Sequence, residues 1–395
     1  MEDIHNYKKR IERVIARVLK EDMCQENKET IMKFRDYCIL QGIGSPKTDR
    51  YLQDCIKLGR ILKKPFSEAT KDDLMKVVVE IEGTDLSFET KRGFKILLKK
   101  LFKCIRGTQG KKEYPDDVNW IVVGGKANNS KLPEELLTEK EVESIIRHAD
   151  TIRDKALISC LAESGCRISE IGNMKIKHVS FEEHGARLTV AGKTGARKIL
   201  IISSAPYLQQ WINQHPFNTS SENCLWVTSG NSLLCYERIL AIVKLAGKRA
   251  GIQKRIYPHL FRHSRATALA TLMSDASMKQ YFGWTQGSQM ASIYIHMSGK
   301  DTDEAILKAS GIEIKKEDKK QLLEPKKCMR CFTINEATNI HCKVCGFSLS
   351  KEEAEKVLQA DTQRKQADDI MDKLMKDSDI LELIKAKLKS KDLYT

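Results

Sequence analysis

Most of this 395-residue chain places apolar side chains at three- and four-residue spacing, and the rhythm breaks near its middle. There, Arg187-Leu-Thr-Val190 and Lys198-Ile-Leu-Ile-Ile202 are β-rich runs on either side of Ala191-Gly-Lys-Thr-Gly-Ala196. Two such runs around a glycine-bearing turn pair as a hairpin. The fold class expected is therefore mainly α with a small β-hairpin or sheet, and Leu225-Trp-Val-Thr228 adds one short extended segment. A single core stops growing well below this length, so several domains are expected.

The boundaries follow from local punctuation. Residues 1–26 read as one amphipathic helix (Ile4, Ile11, Ile15, Val18, Leu19) with no assigned task. Residues 27–107 read as a helical module, with helix starts at Ser45-Pro46, at Thr70 with Asp73 three residues on, and at Ser87. Its Lys91, Lys95, Lys99 and Lys103 stand where helices could turn a face to phosphates; from charge alone, a solvated helix face explains them equally well. Residues 108–132, with Gly110, Pro115, Gly124, Gly125 and Asn128-Asn-Ser130, read as a linker. A second domain, 133–310, opens on the capping box Thr138-Glu-Lys-Glu141. A charged linker (311–327), a cysteine ribbon (328–349) and an amphipathic helical tail (350–395), broken around Lys376-Asp-Ser-Asp379, complete the chain.

Charge narrows the partners. The formal net charge is +15, and the tail from residue 351 carries 10 Lys and Arg against 11 Asp and Glu, so the excess lies in the body. A polyanion is the expected partner, and no run of 18 apolar residues makes a membrane the better one. The amino terminus lacks the apolar stretch of a secretory signal, which points to the cytoplasm. Eight of the twelve cysteines (24, 38, 55, 104, 160, 166, 224 and 235) are scattered singly among apolar neighbours, as reduced core thiols are.

Six residues carry chemistry: Arg167 in Glu163-Ser-Gly-Cys-Arg-Ile-Ser-Glu170, Lys193 at the hairpin turn, His259 and Arg262 in His259-Leu-Phe-Arg262, Trp284 after Phe282-Gly, and Tyr294. A phosphodiester under attack gathers negative charge on its equatorial oxygens, and two guanidinium forks can hold it. Glu170, three residues beyond Arg167, can orient that guanidinium. Tyr294 is the candidate nucleophile, His259 a proton-transfer group, and Trp284 a donor of one hydrogen bond and a packing wall. His263 and His296 are read as structural.

In order and approximate spacing, this series resembles the tyrosine recombinase, or phage integrase, family over roughly residues 25–310. The Gly283-Trp284 and Tyr294-Ile-His-Met-Ser-Gly299 texture looks most like integrases from archaea and their mobile elements. The resemblance implies a core-binding DNA clamp over 27–107 and a catalytic domain over 133–310, with Lys193 as general acid. It also implies strand exchange through a 3′-phosphotyrosyl ester, with no ATP or catalytic metal, by a homotetramer on paired double-stranded DNA sites. Type IB topoisomerase activity and a non-catalytic zinc-ribbon regulator are the alternatives.

Cys328-Met-Arg-Cys331 and Cys342-Lys-Val-Cys345 have the spacing of two knuckles converging on one tetrahedral ion. Four thiolates leave no open position, so a structural Zn2+ is expected, with a rubredoxin-type iron as the minor alternative.

Overall fold

The computed structural model describes residues 3–107, 110, 113–125, 133–192, 195–298, 310, 325–328, 330 and 333–350, and in the tail 359–360, 362–364, 366–367 and 371. The chain divides into two compact units, Met1–Leu132 and Pro133–Thr395.

The first unit holds α1 (Tyr7–Lys20), α2 (Gln25–Leu40), α3 (Ser45–Leu62), α4 (Lys71–Glu82), α5 (Phe88–Arg106) and the single turn α6 (Asp116–Asn119). The starts expected at Thr70 and Ser87 form: each hydroxyl accepts the backbone N–H three residues on. Phe34, Leu52, Ile56, Phe66, Leu97, Leu101 and Phe102 fill the core. Two expectations need correction. The helix of residues 1–26 is no separate piece, because Val14 and Val18 of α1 are buried in this core. The stretch expected as linker is also partly core, since Val118 and Ile121 are buried while Tyr114 and Trp120 pack beside them. Apolar residues hidden among glycines and prolines seal the flank of α5.

That seal uses two of the lysines expected to face phosphate. Lys99 Nζ donates to the carbonyls of Asn119 (3.2 Å) and Ile121 (3.0 Å), and Lys103 Nζ to those of Gly110 (3.1 Å) and Glu113 (2.8 Å). Lys91 Nζ meets the Glu82 carbonyl at 2.6 Å and Lys95 the Glu82 carboxylate at 2.5 Å. These four ammonium groups cap oxygens of their own unit and do not form a free cationic row.

The second unit contains α7 (Glu139–Arg147), α8 (Ile152–Ser164), α9 (Ile168–Gly172), β1 (Val179–Glu182), β2 (Gly185–Gly192), β3 (Gly195–Ile201), α10 (Ala205–Asn213), α11 (Tyr236–Arg249), α12 (Pro258–Ala270), α13 (Asp275–Phe282) and α14 (Met290–Ser298). Helix α8 is buried nearly all round, with Leu157, Ile158 and Leu161 fully enclosed, and it packs against α7, α10 and α12. The expected hairpin forms as β2 and β3 of an antiparallel sheet ordered β1-β2-β3. Its register pairs Val190 with Arg197, Leu188 with Ile199 and Ala186 with Ile201. Because strand side chains alternate, Arg197 shares the inward face with Ile199 and Ile201. The segment 225–228 makes one isolated bridge, Val227 to Leu233, and the Leu225 N–H donates to the Met174 carbonyl at 2.8 Å.

Within the same unit, β4 (Lys326–Lys327) and β5 (Ile334–Asn335) form the ribbon, and Thr338 Oγ1 lies 2.6 Å from the Tyr207 hydroxyl of α10. The tail residues that are described are helical, and the break expected at 376–379 lies outside the described residues, as do Lys193 and Cys331. No helix among the described residues is long and apolar enough to cross a membrane.

Candidate active site

The site is built on the carboxyl end of α13. Gly283 takes φ +61°, and the N–H groups of Gly283 and Trp284 turn back to the carbonyls of Gln280 and Lys279, a Schellman ending. That leaves the next carbonyls outward without helical partners. Three arginines take three consecutive ones: Arg197 Nε donates to Tyr281 at 2.8 Å, Arg262 Nη2 to Phe282 at 2.7 Å, and Arg167 Nη2 to Gly283 at 3.1 Å. The negative end of the helix dipole favours this gathering of cations.

Arg167 caps α9, where its own N–H donates to Glu170 Oε2 at 2.8 Å while its Nη1 meets Oε1 at 2.9 Å. Arg197 reaches the same carboxylate with both terminal nitrogens, at 2.9 and 2.8 Å. Glu170, 1% exposed at its side chain, thus bridges two guanidinium groups. Burial alone would raise its carboxyl, but the hydrogen bonds and charge of Arg197, and then of Arg167, hold it below the ordinary value. Arg262 has no carboxylate partner among the described residues; the Gly165 and Phe282 carbonyls receive it. Burial first, and the like charge of Arg167 next, lower it to about 10. Glu170 supports this cation from a distance, and the groups that bond it directly are neutral carbonyls.

Helix α14 delivers Tyr294 into this pocket from its own chain. The Tyr294 ring lies parallel to Trp284, centroids 5.6 Å apart, and Trp284 stacks in turn on Phe282 at 4.9 Å. The Arg262 guanidinium sits 5.5 Å from the Trp284 ring centre. The buried hydroxyl of Tyr294 is 2.5 Å from His263 Nδ1, and the His259 ring meets His263 edge-on at 4.7 Å. Burial pushes the Tyr294 phenol up to about 12, against the opposing pull of Arg262. The indole N–H of Trp284 has no acceptor among the described residues. The other three tryptophans donate theirs to the carbonyls of Asp117, Leu225 and Ile171.

Of the residues named from sequence, Arg167, Glu170, Arg262, Trp284 and Tyr294 converge here, with the exposed His259 at the edge. Sequence reasoning missed Arg197 and assigned His263 no task. Arg197 is readable as an arginine at an inward position of a period-two strand. His263 is readable as a second imidazole one helical turn beyond His259.

The candidate metal centre lies apart, in the ribbon. The Sγ atoms of Cys328, Cys342 and Cys345 all fall within 4.8 Å of one another, and those of Cys328 and Cys345 are 3.6 Å apart. Two thiolates bound at about 2.3 Å to one tetrahedral ion stand about 3.8 Å apart, so the donor set fits zinc. Asn335 Nδ2 approaches Cys342 Sγ at 3.6 Å, as outer-shell donors to metal thiolates do.

Residues 135–300 match the profile of the phage integrase family. The tyrosine recombinase XerA of Pyrococcus furiosus is 31% identical over 196 residues, which cover 48% of this chain and 67% of that protein. The chain belongs to the phage integrase family and is a tyrosine-type site-specific recombinase. XerA of Pyrococcus horikoshii is 27% identical to this recombinase over 297 residues, 73% of the chain and 95% of that protein. The fold is shared with the XerH site-specific recombinase bound to its palindromic difH substrate in a post-cleavage complex. That match has a TM-score of 0.53 and 21% identity, covering 68% of this chain and 82% of the other.

Proposed function

We propose that this recombinase cuts and rejoins double-stranded DNA through a 3′-phosphotyrosyl ester on Tyr294, in the cytoplasm, as four copies on two paired sites. The observation that carries the reading is the shared pocket: the Tyr294 hydroxyl stands beside an imidazole, one aromatic ring away from a buried guanidinium that bonds no carboxylate directly among the described residues. Arg167 and Arg262 hold the non-bridging oxygens of the scissile phosphate, and the indole N–H of Trp284, without an acceptor among the described residues, adds one donor. As the phenolic oxygen bonds to phosphorus, its proton passes to His263 Nδ1, with His259 next to it. The bond from phosphorus to the 5′-oxygen breaks, and that oxygen takes a proton from Lys193. The hydroxyl of a second strand then reverses each step, expelling Tyr294 and restoring a diester.

The four ribbon cysteines hold a structural zinc ion, which organises residues 328–349 and lies outside the phosphoryl-transfer path.

The test uses a library of duplexes with randomised sequence, each nicked a few bases beyond the candidate bond. The nick lets the released 5′-hydroxyl fragment diffuse away and traps the ester. Protein-linked DNA, captured under denaturing conditions and sequenced, gives the target, and mass spectrometry of the adduct is expected to find the nucleotide on Tyr294. Tyr294→Phe is expected to bind the selected duplex with unchanged affinity and to form no adduct. An adduct formed by the Phe variant refutes the assignment. Exchange of labelled strands between two selected sites separates recombination from relaxation alone.

A further inference from the structure

We propose that Arg197, on the strand leaving the hairpin, is a positioning residue for the phosphate chemistry: it locks Glu170 and the end of α13 into one frame and thereby sets where Arg167 presents its guanidinium. The proposal rests on the reading of Tyr294 given above. Arg197 spends its fork on both oxygens of Glu170 and its Nε on the Tyr281 carbonyl, so one planar group joins β3, α9 and α13. Its side chain is 11% exposed against 32% for Arg167. Arg197 is therefore spent on protein acceptors. Arg167 makes one bond to Glu170 and one to Gly283 and keeps three of its five N–H donors without a partner among the described residues. The first arginine builds and the second is left to bind.

Two glycines show how closely the frame is drawn. A Cβ at Gly283 would stand 2.6 Å from Arg197 Nη1, and one at Gly192 would collide with Glu170 Oε1. Gly192 ends β2 and immediately precedes Lys193 in sequence, so the strand that leads to the proposed general acid is seated on the carboxylate that orients Arg167. Lysine cannot replace this fork, because a single ammonium has no planar pair of donors for a carboxylate together with a third for a carbonyl.

The experiment measures single-turnover adduct formation by full-length Arg197→Lys and Arg197→Gln on the nicked duplex selected by the unaltered protein. A second version of that duplex carries a methyl group in place of one non-bridging oxygen of the scissile phosphate. Losing the frame is expected to slow cleavage of the ordinary duplex by about tenfold for Lys and about 100-fold for Gln, the cost of a small misplacement, with DNA affinity unchanged. On the methylphosphonate duplex, where the charge that Arg167 would neutralise is gone, most of that loss is expected to disappear. A lesion that merely loosened the fold would slow both duplexes alike, and that result overturns the proposal, as does a Gln variant that cleaves at the unaltered rate. Should Arg197→Gln fail to fold, the paired Arg197→Gln, Glu170→Gln variant removes both charges together and carries the same comparison. If the unaltered protein forms no adduct on any duplex, the reading of Tyr294 has failed, and this proposal with it.

Discussion

Glu170 is the carboxylate that joins Arg167 to Arg197, and its environment makes a pH prediction. Its carboxyl is held below the ordinary value by Arg197 and Arg167, so the folded state keeps it ionised where an unfolded chain would protonate it. The stability this contributes is complete above the ordinary glutamate value of about 4.3 and is lost as pH falls through the lower folded value. Melting temperature measured from pH 7 to 3 is expected to drop on the acid side, and Glu170→Gln to flatten part of that drop. At pH 7 the same variant, leaving the largely buried Arg197 guanidinium and the part-exposed Arg167 without their carboxylate, is expected to lose about 3 kcal/mol. An acid limb identical in both proteins would disprove this role. Trp284 makes a second, separable claim. Trp284→Phe keeps the stack on Tyr294 and Phe282 but removes the indole N–H that meets no acceptor among the described residues. Adduct formation is expected to fall about 10- to 100-fold, the worth of one hydrogen bond to a charged group, with little change in melting temperature. Arg167, Arg262, Trp284 and Tyr294 were legible in the sequence because their residue types and order name a chemistry. Arg197 was overlooked, since in a chain this basic an arginine beside a lysine reads as solvated, although its two-residue spacing from Ile199 puts it on the inward face, where it pairs with buried Val190.

At the scale of elements, the end of α13 does what no single side chain does, because one Schellman turn presents three carbonyls in succession to three arginines from β3, α12 and α9. Gly283 is needed there twice, for its φ of +61° and for the absence of a Cβ against Arg197. Asparagine tolerates that backbone conformation, which separates the two demands. Gly283→Ala and Gly283→Asn are both expected to melt lower, by more than about 1 kcal/mol, and to cleave more slowly. Full recovery by asparagine would show that only the backbone angle mattered. Helix starts were readable from Thr70, Ser87 and Thr138 because each cap is a local bond across three residues. The sealing of α5 by residues 113–123 was not readable, because it depends on where Val118 and Ile121 land, and so short a stretch between Gly110 and Gly124 gives no period from which to infer burial. The same packing explains why Lys99 and Lys103 serve oxygens of their own unit, as Lys91 and Lys95 do at Glu82 of α4: a lysine's charge is visible in sequence and its partner is not.

For the whole molecule, the question is whether the ribbon belongs to the chemistry or only to the body that performs it. Its contact with the rest of the second unit runs through Thr338 and the Tyr207 hydroxyl of α10, with Ala337 buried beside Thr338. Burial of Tyr207, against the opposing pull of that hydrogen bond, leaves its phenol above the ordinary value, as a neutral group held in a closed contact would be. None of the active-site hydrogen bonds described above involves a ribbon residue, and a structural zinc site yields folding energy, not reactivity. Serine at both Cys328 and Cys331 is therefore expected to abolish zinc binding in a colorimetric release assay. It should also speed hydrogen exchange in the ribbon and along the Tyr207 face of α10, while adduct formation on the selected nicked duplex keeps its rate. The two readouts divide the possible roles. Exchange unchanged after zinc loss would mean that the metal does not organise this segment, whereas loss of the adduct with α10 still protected would make the ribbon part of the cleavage machinery and contradict its assignment as a brace.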